Sequence, residues 1–560
     1  MANYKKNNFY NIFWQILSSK NIKRVFGLPG SPIDNLLSSK PKNIIWTNTG
    51  NEMSNGFIAQ VYGQFANSVG YLFVTTGPGI ATAISPLEQA IYEGNPLIIV
   101  SPIESTATYG SFQNWDIKKI AKTLTKHVFY INNENNIVSN ILNSYETAKK
   151  YNTGVILLFE TNVFTSKKYK INELKIENKI FNDKNKEISK SQLINILETI
   201  NLTNFLLVVG RLKNDDYKSL YNFIKINNLP YVTTSKGRFS KNNCGIDCGR
   251  VGSFGKHSAN YAIMNATHLL ILGNISGLLN NPYKNRFSLL FEKNKIIYSL
   301  CYNKDHTIKS KNLYEMNNLS YILDEFKIIS NDDWCNKLLK SNNILKVDLP
   351  RVSKLEKFIY IAWNVYKNNN LRIPVTSGVG NHWYGISKYM DIEDHNSFES
   401  STVWASIGIS IANGIGIHYA TGKHVWVFEG DGGTLFGSVD LLYLLNNLHL
   451  PITVTIYINH IYGAIFEDYE KRVDKINEVV DVPDIQLLKL LPNYHIFNSE
   501  VKYYDYLNKY PLSDKVRFII ISIPNNHDNS DIYEISIDEK YEYNLKNNNF
   551  DEILKTKMKL

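Results

Sequence analysis

Short apolar runs recur along the chain, and each ends in a glycine or polar turn that precedes a stretch with helical character. The runs are RVFGLPG, GYLFVTTGPG, PLIIVSP, GVILLFE, NFLLVVGR, HLLILGN, KIIYSL, HVWVFEGDGG, PITVTIYIN and RFIIISIP. A continuous apolar run is typical of a strand whose sheet is covered on both faces. The pattern therefore predicts an α/β protein built from open parallel sheets with helices on both faces.

Two polar, lysine-rich stretches, at 165–190 and 330–354, interrupt this series. A chain of 560 residues is also too long for one core, since domains typically hold about 100–200 residues. We therefore expect three consecutive domains of similar architecture and a lysine-rich C-terminal tail. Their predicted bounds are 1–170, 185–335, 350–535 and 536–560.

Composition narrows the class of protein. Hydrophobic residues make up 44% of the chain, which argues against disorder. The net charge is +10, but the lysines are scattered and form no basic stripe interleaved with aromatic residues, so we expect no nucleic-acid partner. Asn, Lys, Ile and Tyr are common even at polar positions, which indicates an AT-rich coding sequence such as that of a parasite, a symbiont or a large virus.

Cysteine usage and hydropathy indicate the compartment. The four cysteines lack the paired spacing of a zinc site, and so few in a long chain favour a reducing environment. The first thirty residues contain no continuous apolar signal region, and no run of about 18 apolar residues occurs anywhere. We expect a soluble, cytoplasmic protein with no membrane partner.

A glycine turn carries the first candidate chemistry. VWVFEGDGG places Gly430, Asp431 and Gly432 after an apolar strand, where ligands of open α/β sheets bind. A helix that begins among glycines offers backbone N–H groups to a phosphate, which the Asp431 carboxylate would repel. A Mg²⁺ ion between phosphate and carboxylate removes this conflict. The glycines alone are equally typical of a structural turn.

Asn459 makes the metal interpretation more specific. It ends the next apolar strand, PITVTIYIN, one helix–strand unit after Asp431. Neighbouring parallel strands end at the same edge of a sheet, so both side chains are expected to lie close together. The Asn459 amide oxygen and a backbone carbonyl near Ile461 then complete the predicted metal ligands.

Further motifs extend along almost the whole chain. In order they are GLPGSPIDNLL, GNEMSNGFIAQVYGQFANSVG, TTGPGIATAISPLEQAIYEGNPLIIVSP, GSFQNWDIKKIAKTLTKHVFYI, GRVGSFGKHSANYAIMNATHLLILGN, TSGVGNHWYG, WASIGISIANGIG and the GDG segment. Together they resemble thiamine-diphosphate (ThDP) enzymes of the acetolactate synthase, pyruvate oxidase and pyruvate decarboxylase group. The resemblance implies a pyrimidine-binding first domain, a Rossmann-like central domain and a diphosphate- and Mg²⁺-binding third domain.

The resemblance also implies roles for single residues. Glu52 matches the catalytic glutamate that hydrogen-bonds the aminopyrimidine ring, although a helix N-terminal charge is the alternative. Ile407 matches the apolar residue under the bent cofactor, although an ordinary core position is the alternative. The residues expected to bind ThDP are Glu52, Val379, Gly380, Asn381, His382, Ala405, Ile407, Gly430, Asp431, Gly432, Gly433, Asn459 and Ile461, with His382 equally explained as a structural histidine.

The chain departs from the family pattern in the metal motif. Ile458 stands where the motif usually has the first of two asparagines, and one extra residue precedes Pro451. Gly433 replaces the familiar Ser or Ala, so the hydroxyl group expected to reach the diphosphate is missing unless Thr434 supplies it.

Substrate recognition follows the family less closely. Ser31 occupies a position that is Gly in acetolactate synthases and Ser in aromatic 2-oxoacid decarboxylases. Phe112 and Gln113 match a pair that borders the reacting carbon, and Ser31, Phe112 and Gln113 join Glu52 as the predicted catalytic residues. The segment after Asn459 has no Trp of the kind that selects the second substrate. The central domain lacks the Arg-containing run after LILGN of flavin-binding members, which argues against FAD.

These observations predict a ThDP- and Mg²⁺-dependent enzyme that decarboxylates a 2-oxoacid and ligates the product to a second one, as acetolactate synthase does. Plain decarboxylation to an aldehyde and a ThDP fold kept for binding or assembly without turnover are the alternatives. In this family Glu52 and Asp431 would come from different subunits, which implies a homodimer or homotetramer.

Overall fold

The chain is described here from a computed structural model. The described residues are 8–103, 113, 115–161, 188–239, 244–252, 255–275, 295–308, 310–316, 327–345, 353–392, 394–395, 397–437, 441–442, 444–445, 449–464, 481–484, 486–491, 493–523, 544, 547–550 and 552. Phe112 and most of the predicted C-terminal tail lie outside them.

The first domain contains one parallel six-stranded sheet in the order β2-β1-β3-β4-β6-β5. Its strands are β1 (Arg24–Gly27), β2 (Ile45–Thr47), β3 (Gly70–Phe73), β4 (Leu97–Ile103), β5 (Val128–Ile131) and β6 (Gly154–Glu160). Its helices are α1 (Phe9–Ser19), α2 (Asp34–Ser38), α3 (Glu52–Phe65), α4 (Pro78–Thr82), α5 (Ile84–Glu93), α6 (Ile117–Leu124) and α7 (Ile137–Tyr151). Asn51 caps α3 by accepting from Ser54 N, which fixes Glu52 as the first helical residue.

The central domain repeats this architecture with the order β12-β11-β10-β7-β8-β9. Its strands are β7 (Phe205–Val209), β8 (Pro230–Thr233), β9 (Ile246–Arg250), β10 (His268–Leu272), β11 (Ile296–Cys301) and β12 (Asn312–Glu315). Its helices are α8 (Lys190–Ile200), α9 (Asp216–Asn227), α10 (His257–Asn265) and α11 (Asp332–Leu345). A reciprocal capping box between Ser189 and Gln192 starts α8 at the end of the lysine-rich stretch.

The third domain has the strand order β14-β13-β15-β16-β18-β17. Its strands are β13 (Val375–Ser377), β14 (Phe398–Ser400), β15 (Val425–Gly430), β16 (Ile452–Ile458), β17 (Tyr494–Phe497) and β18 (Arg517–Ser522). Its helices are α12 (Lys354–Asn368), α13 (Asn381–Tyr389), α14 (Ser410–Thr421), α15 (Asp431–Gly437) and α16 (Glu500–Lys509). The central strands are buried almost throughout, as their continuous apolar sequences predict.

The predicted fold class is confirmed, because three parallel six-stranded sheets follow one another along the chain. Each sheet falls inside one of the three predicted domain ranges. The chain also divides into two compact units, and this division differs from the three sheets. One unit holds residues 1–184 with 412–422 and 440–447, and the other holds the rest.

Helix α14 explains why part of the third domain belongs to the first unit. A Cβ atom on Gly416 would lie only 2.6 Å from the Ile58 carbonyl oxygen, so the helix backbones of α14 and α3 approach closely there. The Arg24 guanidinium stacks 3.9 Å from the centre of the Tyr419 ring. Residues 412–422 therefore pack against the first domain.

Among the described helices, none combines the length and the apolar character that crossing a membrane requires.

Candidate cofactor and active site

A cavity of about 150 Å³ lies at the carboxyl ends of β13, β15 and β16. Its lining includes almost all residues that the sequence assigns to the cofactor in the third domain, and Ala405 is the exception. These lining residues are Val379, Gly380, Asn381, His382, Ile407, Gly430, Asp431, Gly432, Gly433, Asn459 and Ile461. Adjacent parallel strands bring them together, since Gly430 of β15 lies opposite Tyr457 of β16.

The Asp431 side chain joins the ends of the two central strands. Its Oδ2 atom accepts hydrogen bonds from the backbone N–H groups of Asn459 at 2.9 Å and His460 at 2.6 Å. Its Oδ1 atom accepts from Gly432 N at 2.8 Å. Asp431 and Asn459 are therefore neighbours, as the spacing of the two strands predicts.

The chemistry of this carboxylate fits a cation. Asp431 is only 3% exposed, and the described residues place no Lys or Arg at ion-pair distance from it. Burial raises the pKa of the Asp431 carboxyl, and backbone hydrogen bonds, that from His460 first, offset part of this shift. A buried carboxylate is costly unless it is paired or coordinates a metal, and Mg²⁺ prefers oxygen ligands.

His382 and Glu429 form a second buried pair at the cavity. Burial lowers the pKa of His382 to about 3, and a hydrogen bond with the Gly378 backbone offsets only part of that, so its ring is neutral at pH 7. Its Nε2 atom is buried without a hydrogen-bond partner and lies 3.7 Å from Glu429 Oε1. Burial also raises the pKa of Glu429 to about 7, against hydrogen bonds from Ser410 and Gly430. His382 thus offers a neutral ring to the cavity.

The departure at Gly433 has a structural cause. A Cβ atom there would lie 2.3 Å from Glu429 Oε1, and one on Gly378 would lie 2.0 Å from the same atom. The Glu429 side chain therefore excludes the Ser or Ala expected at 433. The Thr434 hydroxyl does not replace the missing one, because it donates to the Gly430 carbonyl at 2.8 Å and Thr434 does not line the cavity.

The loop 401–409 brings Ile407 to the cavity. Ile407 is 38% exposed and lies on the lining, which is unlike an ordinary core position. Ala405 has a left-handed backbone with φ of 57°, a conformation that costs a residue with a Cβ atom. Gly408 is also left-handed, and a Cβ there would lie 2.4 Å from the Gly433 carbonyl oxygen. The loop thus packs directly on the glycine turn.

In the first unit, the predicted catalytic residues converge on the turn of residues 75–79. Glu52 is half-buried, and its Oε1 atom would lie 3.3 Å from a Cβ on Gly79. Gln113 Oε1 accepts a hydrogen bond from the Thr76 hydroxyl at 3.0 Å. Ser31 is exposed in the neighbouring turn, whose Gly30 approaches the side chain of Thr75. Phe112, the remaining predicted catalytic residue, is outside the described residues.

Sequence reasoning missed Glu429 and Tyr462. Glu429 is a fully buried carboxylate at the end of an otherwise apolar strand, immediately before the GDG turn, and that contrast was the available signal. The Tyr462 ring lines the cavity and lies where a Cβ on Gly432 would be, 2.3 Å from Tyr462 Cε1. No local pattern distinguishes Tyr462 from the other tyrosines.

Two sequence-family models match the chain at the domains described above. Residues 7–120 match the model described as "Thiamine pyrophosphate enzyme, N-terminal TPP binding domain". Residues 378–497 match the model described as "Thiamine pyrophosphate enzyme, C-terminal TPP binding domain". The second match contains the cavity lining from Val379 onward in the order of the chain, through the glycine turn to Asn459.

Proteins similar to this chain over most of its length include three acetolactate synthases. The chain is 23% identical over 508 residues to the mitochondrial acetolactate synthase of Schizosaccharomyces pombe. The aligned region covers 82% of this chain and 75% of the relative. It is 22% identical to the acetolactate synthase large subunit of Lactococcus lactis over 85% of both chains. It is 21% identical to the acetolactate synthase of Bacillus subtilis over 87% of this chain and 88% of the relative.

Proposed function

We propose that this chain, a thiamine-diphosphate-dependent enzyme similar to acetolactate synthases, uses Mg²⁺ to decarboxylate a 2-oxoacid and joins the product to a second 2-oxoacid. Pyruvate is the proposed donor. The observation that carries the proposal is the single cavity in which Asp431, Asn459 and Ile461 lie beside the glycine turn and Ile407. This cavity would thus supply oxygen ligands to a metal, N–H groups to a phosphate and an apolar support to the cofactor.

The residues of the third domain have distinct proposed tasks. Asp431, Asn459 and the Ile461 carbonyl would hold Mg²⁺, and the backbone N–H groups at the start of α13 would hold the diphosphate. Ile407 would support the cofactor from the side of its loop. ThDP, when bound, supplies the electron sink that decarboxylation of a 2-oxoacid needs.

Glu52 is the proposed acid–base residue of the first domain. It would hydrogen-bond the aminopyrimidine nitrogen of the cofactor and exchange a proton there. Gln113, anchored to Thr76, would border the substrate, as would Ser31. Phe112 keeps the role that the family resemblance gives it.

A second copy of the chain is the proposed cover of the cavity mouth. Several apolar side chains of the second unit are exposed in the segments that carry the cavity lining, where a partner surface would cover them. They are Val403 (39%), Trp404 (41%), Ile407 (38%), Phe436 (64%) and Tyr462 (36%). A homodimer or homotetramer would bury them, and sedimentation of the purified chain measures this directly.

Product analysis tests the proposed reaction. Pyruvate turnover with ThDP and Mg²⁺ should release carbon dioxide and acetolactate, and Glu52→Gln should abolish both. Acetaldehyde as the main product would mean that the chain catalyses plain decarboxylation instead of ligation. Ser31 is the residue that favours this alternative. Turnover of other 2-oxoacids under the same conditions ranks the substrates.

A further inference from the structure

Four basic residues lie buried at the carboxyl edge of the central sheet. Arg211 follows β7, Lys236 and Arg238 follow β8, and Arg250 ends β9. Their exposed fractions are 3%, 4%, 3% and 5%, in that order. Lys and Arg are almost never this buried unless they are paired.

The partner of two of these cations is Glu399, which lies in the third domain. Glu399 is fully buried in the edge strand β14. Arg211 Nη2 lies 2.5 Å from its Oε2 atom, and Lys236 Nζ lies 2.8 Å from its Oε1 atom. Burial alone would raise the pKa of Glu399, but Arg211 and Lys236 outweigh burial and lower it, so the carboxylate is ionised at neutral pH.

The two remaining cations hold the C-terminal end of helix α13. Arg238 Nη1 donates to the Met390 carbonyl at 2.7 Å, and Arg250 Nη2 donates to the Ser387 carbonyl. Arg250 Nη1 also pairs with Asp391 Oδ1 at 2.7 Å. Cations at this end complement the helix dipole and satisfy carbonyls that the helix leaves without N–H partners.

Both supported elements lead to the cavity. Strand β14 continues directly into the loop 401–409, which carries Ile407, and the Ser401 hydroxyl accepts from Ser406 N at 2.9 Å to close that loop. Helix α13 begins with Asn381 and His382, which line the same cavity. The central domain therefore contacts strand β14 and the C-terminal end of α13. The loop that follows β14 and the first residues of α13 line the proposed cofactor site.

We propose that Glu399, with Arg211 and Lys236, is a positioning cluster through which the central domain sets the place of the loop 401–409. Carboxyl edges of open α/β sheets commonly bind dinucleotides, but here the described cations are engaged by carboxylates and carbonyls of the third domain. The carboxyl edge of the central sheet thus holds β14 and α13, the two elements that lead to the proposed cofactor site. This inference rests on the proposed function only for the statement that the cavity binds ThDP.

The test compares Lys236→Met and Glu399→Gln with Leu270→Ala. Leu270 is fully buried in a strand of the same sheet. Its replacement by Ala lowers stability without changing a residue of the cluster. Two quantities are measured: amide hydrogen exchange in residues 401–409 of the chain alone, and the ThDP concentration that half-saturates the protein. Comparisons are made at temperatures equally far below each variant's melting temperature.

Both cluster variants should speed amide exchange in residues 401–409 and raise half-saturating ThDP. The expected rise is about tenfold; for comparison, a misplacement of about 1 Å can cost an enzyme about 10²-fold in rate. Lys236→Arg, which keeps the charge, should leave both the amide exchange in residues 401–409 and the half-saturating ThDP concentration close to those of the unsubstituted chain. Leu270→Ala should change neither.

Equal behaviour of the cluster variants and Leu270→Ala in residues 401–409 would overturn the inference and leave a purely structural ion cluster. Where the unsubstituted chain fails to bind ThDP, the exchange measurement still decides the positioning question. In that case only the proposed function fails. Should Glu399→Gln not fold, Lys236→Met carries the test, since Glu399 there keeps Arg211 as its partner.

Discussion

The strongest local prediction concerns the space shared by Glu429 and Gly433. An ideal Cβ on Gly433 would lie 2.3 Å from Glu429 Oε1 and 2.8 Å from Glu429 Cδ. One of the two groups must then move, and Glu429 is held by the Ser410 hydroxyl at 2.6 Å and by Gly430 N at 3.1 Å. Gly433→Ser should therefore destabilise the chain by about 1–3 kcal/mol, the usual cost of overpacking.

Removing the Glu429 side chain should remove most of that cost. Glu429→Ala forfeits the hydrogen bonds that the carboxylate accepts from Ser410 and Gly430, at about 1 kcal/mol net for each, but it opens the space for a larger residue at 433. In that background we expect Gly433→Ser to cost little, so that the coupling between the two sites is about 1–2 kcal/mol. Couplings of 0.5–3 kcal/mol are usual for residues in contact.

The assay is a double-mutant cycle in differential scanning calorimetry, with the unfolding transition followed in all four proteins. Gly408→Ala is the matched control, because its Cβ would meet the Gly433 carbonyl, which Glu429→Ala leaves in place. Its cost should be equal in both backgrounds. If Gly433→Ser costs as much without Glu429 as with it, the steric account of this departure from the family pattern is wrong.

Ala405→Gly should raise the free energy of unfolding by up to about 1 kcal/mol, because glycine adopts a left-handed backbone without a Cβ penalty, and a loss of stability on denaturant titration would refute the strain at Ala405. Gly416→Leu should destabilise the first unit by more than about 1 kcal/mol, since even a Cβ would lie 2.6 Å from the Ile58 carbonyl; an unchanged melting temperature would contradict this packing. The pKa of Glu399 is lowered by its two buried cations, so the stability it contributes is present above its unfolded pKa of about 4.3 and is lost as pH falls through the folded value. The stability difference between the original chain and Glu399→Gln should accordingly shrink below pH 4, and a difference independent of pH would count against the ion pair.

Much of the fold follows from local pattern. Continuous apolar runs separated by glycine turns predict buried parallel strands, and the structure has such strands in three sheets. The neighbouring positions of Asp431 and Asn459 follow from the same reasoning, because consecutive parallel strands end at one edge. These features depend on residues that are close in sequence, which is why a single sequence is sufficient to predict them.

The contacts that sequence reasoning missed join distant residues. Nothing in the sequence around Arg211 or Lys236 indicates that both pair with Glu399, 188 and 163 residues away. The exclusion of a side chain at 433 likewise depends on the rotamer of Glu429, which only the packed site reveals. The sequence leaves open whether the Thr434 hydroxyl reaches a diphosphate, and the structure directs it to the Gly430 carbonyl. Long-range pairing of this kind leaves no periodic signal.

The most direct test is to measure ThDP binding with and without Mg²⁺, by calorimetry and by thermal shift, for the original chain and for Asp431→Ala. A ligand present at 100 times its dissociation constant stabilises the native state by about 2.7 kcal/mol. We expect a Mg²⁺-dependent rise in melting temperature that Asp431→Ala loses, whereas Asp484→Ala, a substitution on the exposed surface, keeps it. No binding at millimolar ThDP and Mg²⁺, or binding that depends on neither Mg²⁺ nor Asp431, would contradict the proposed site.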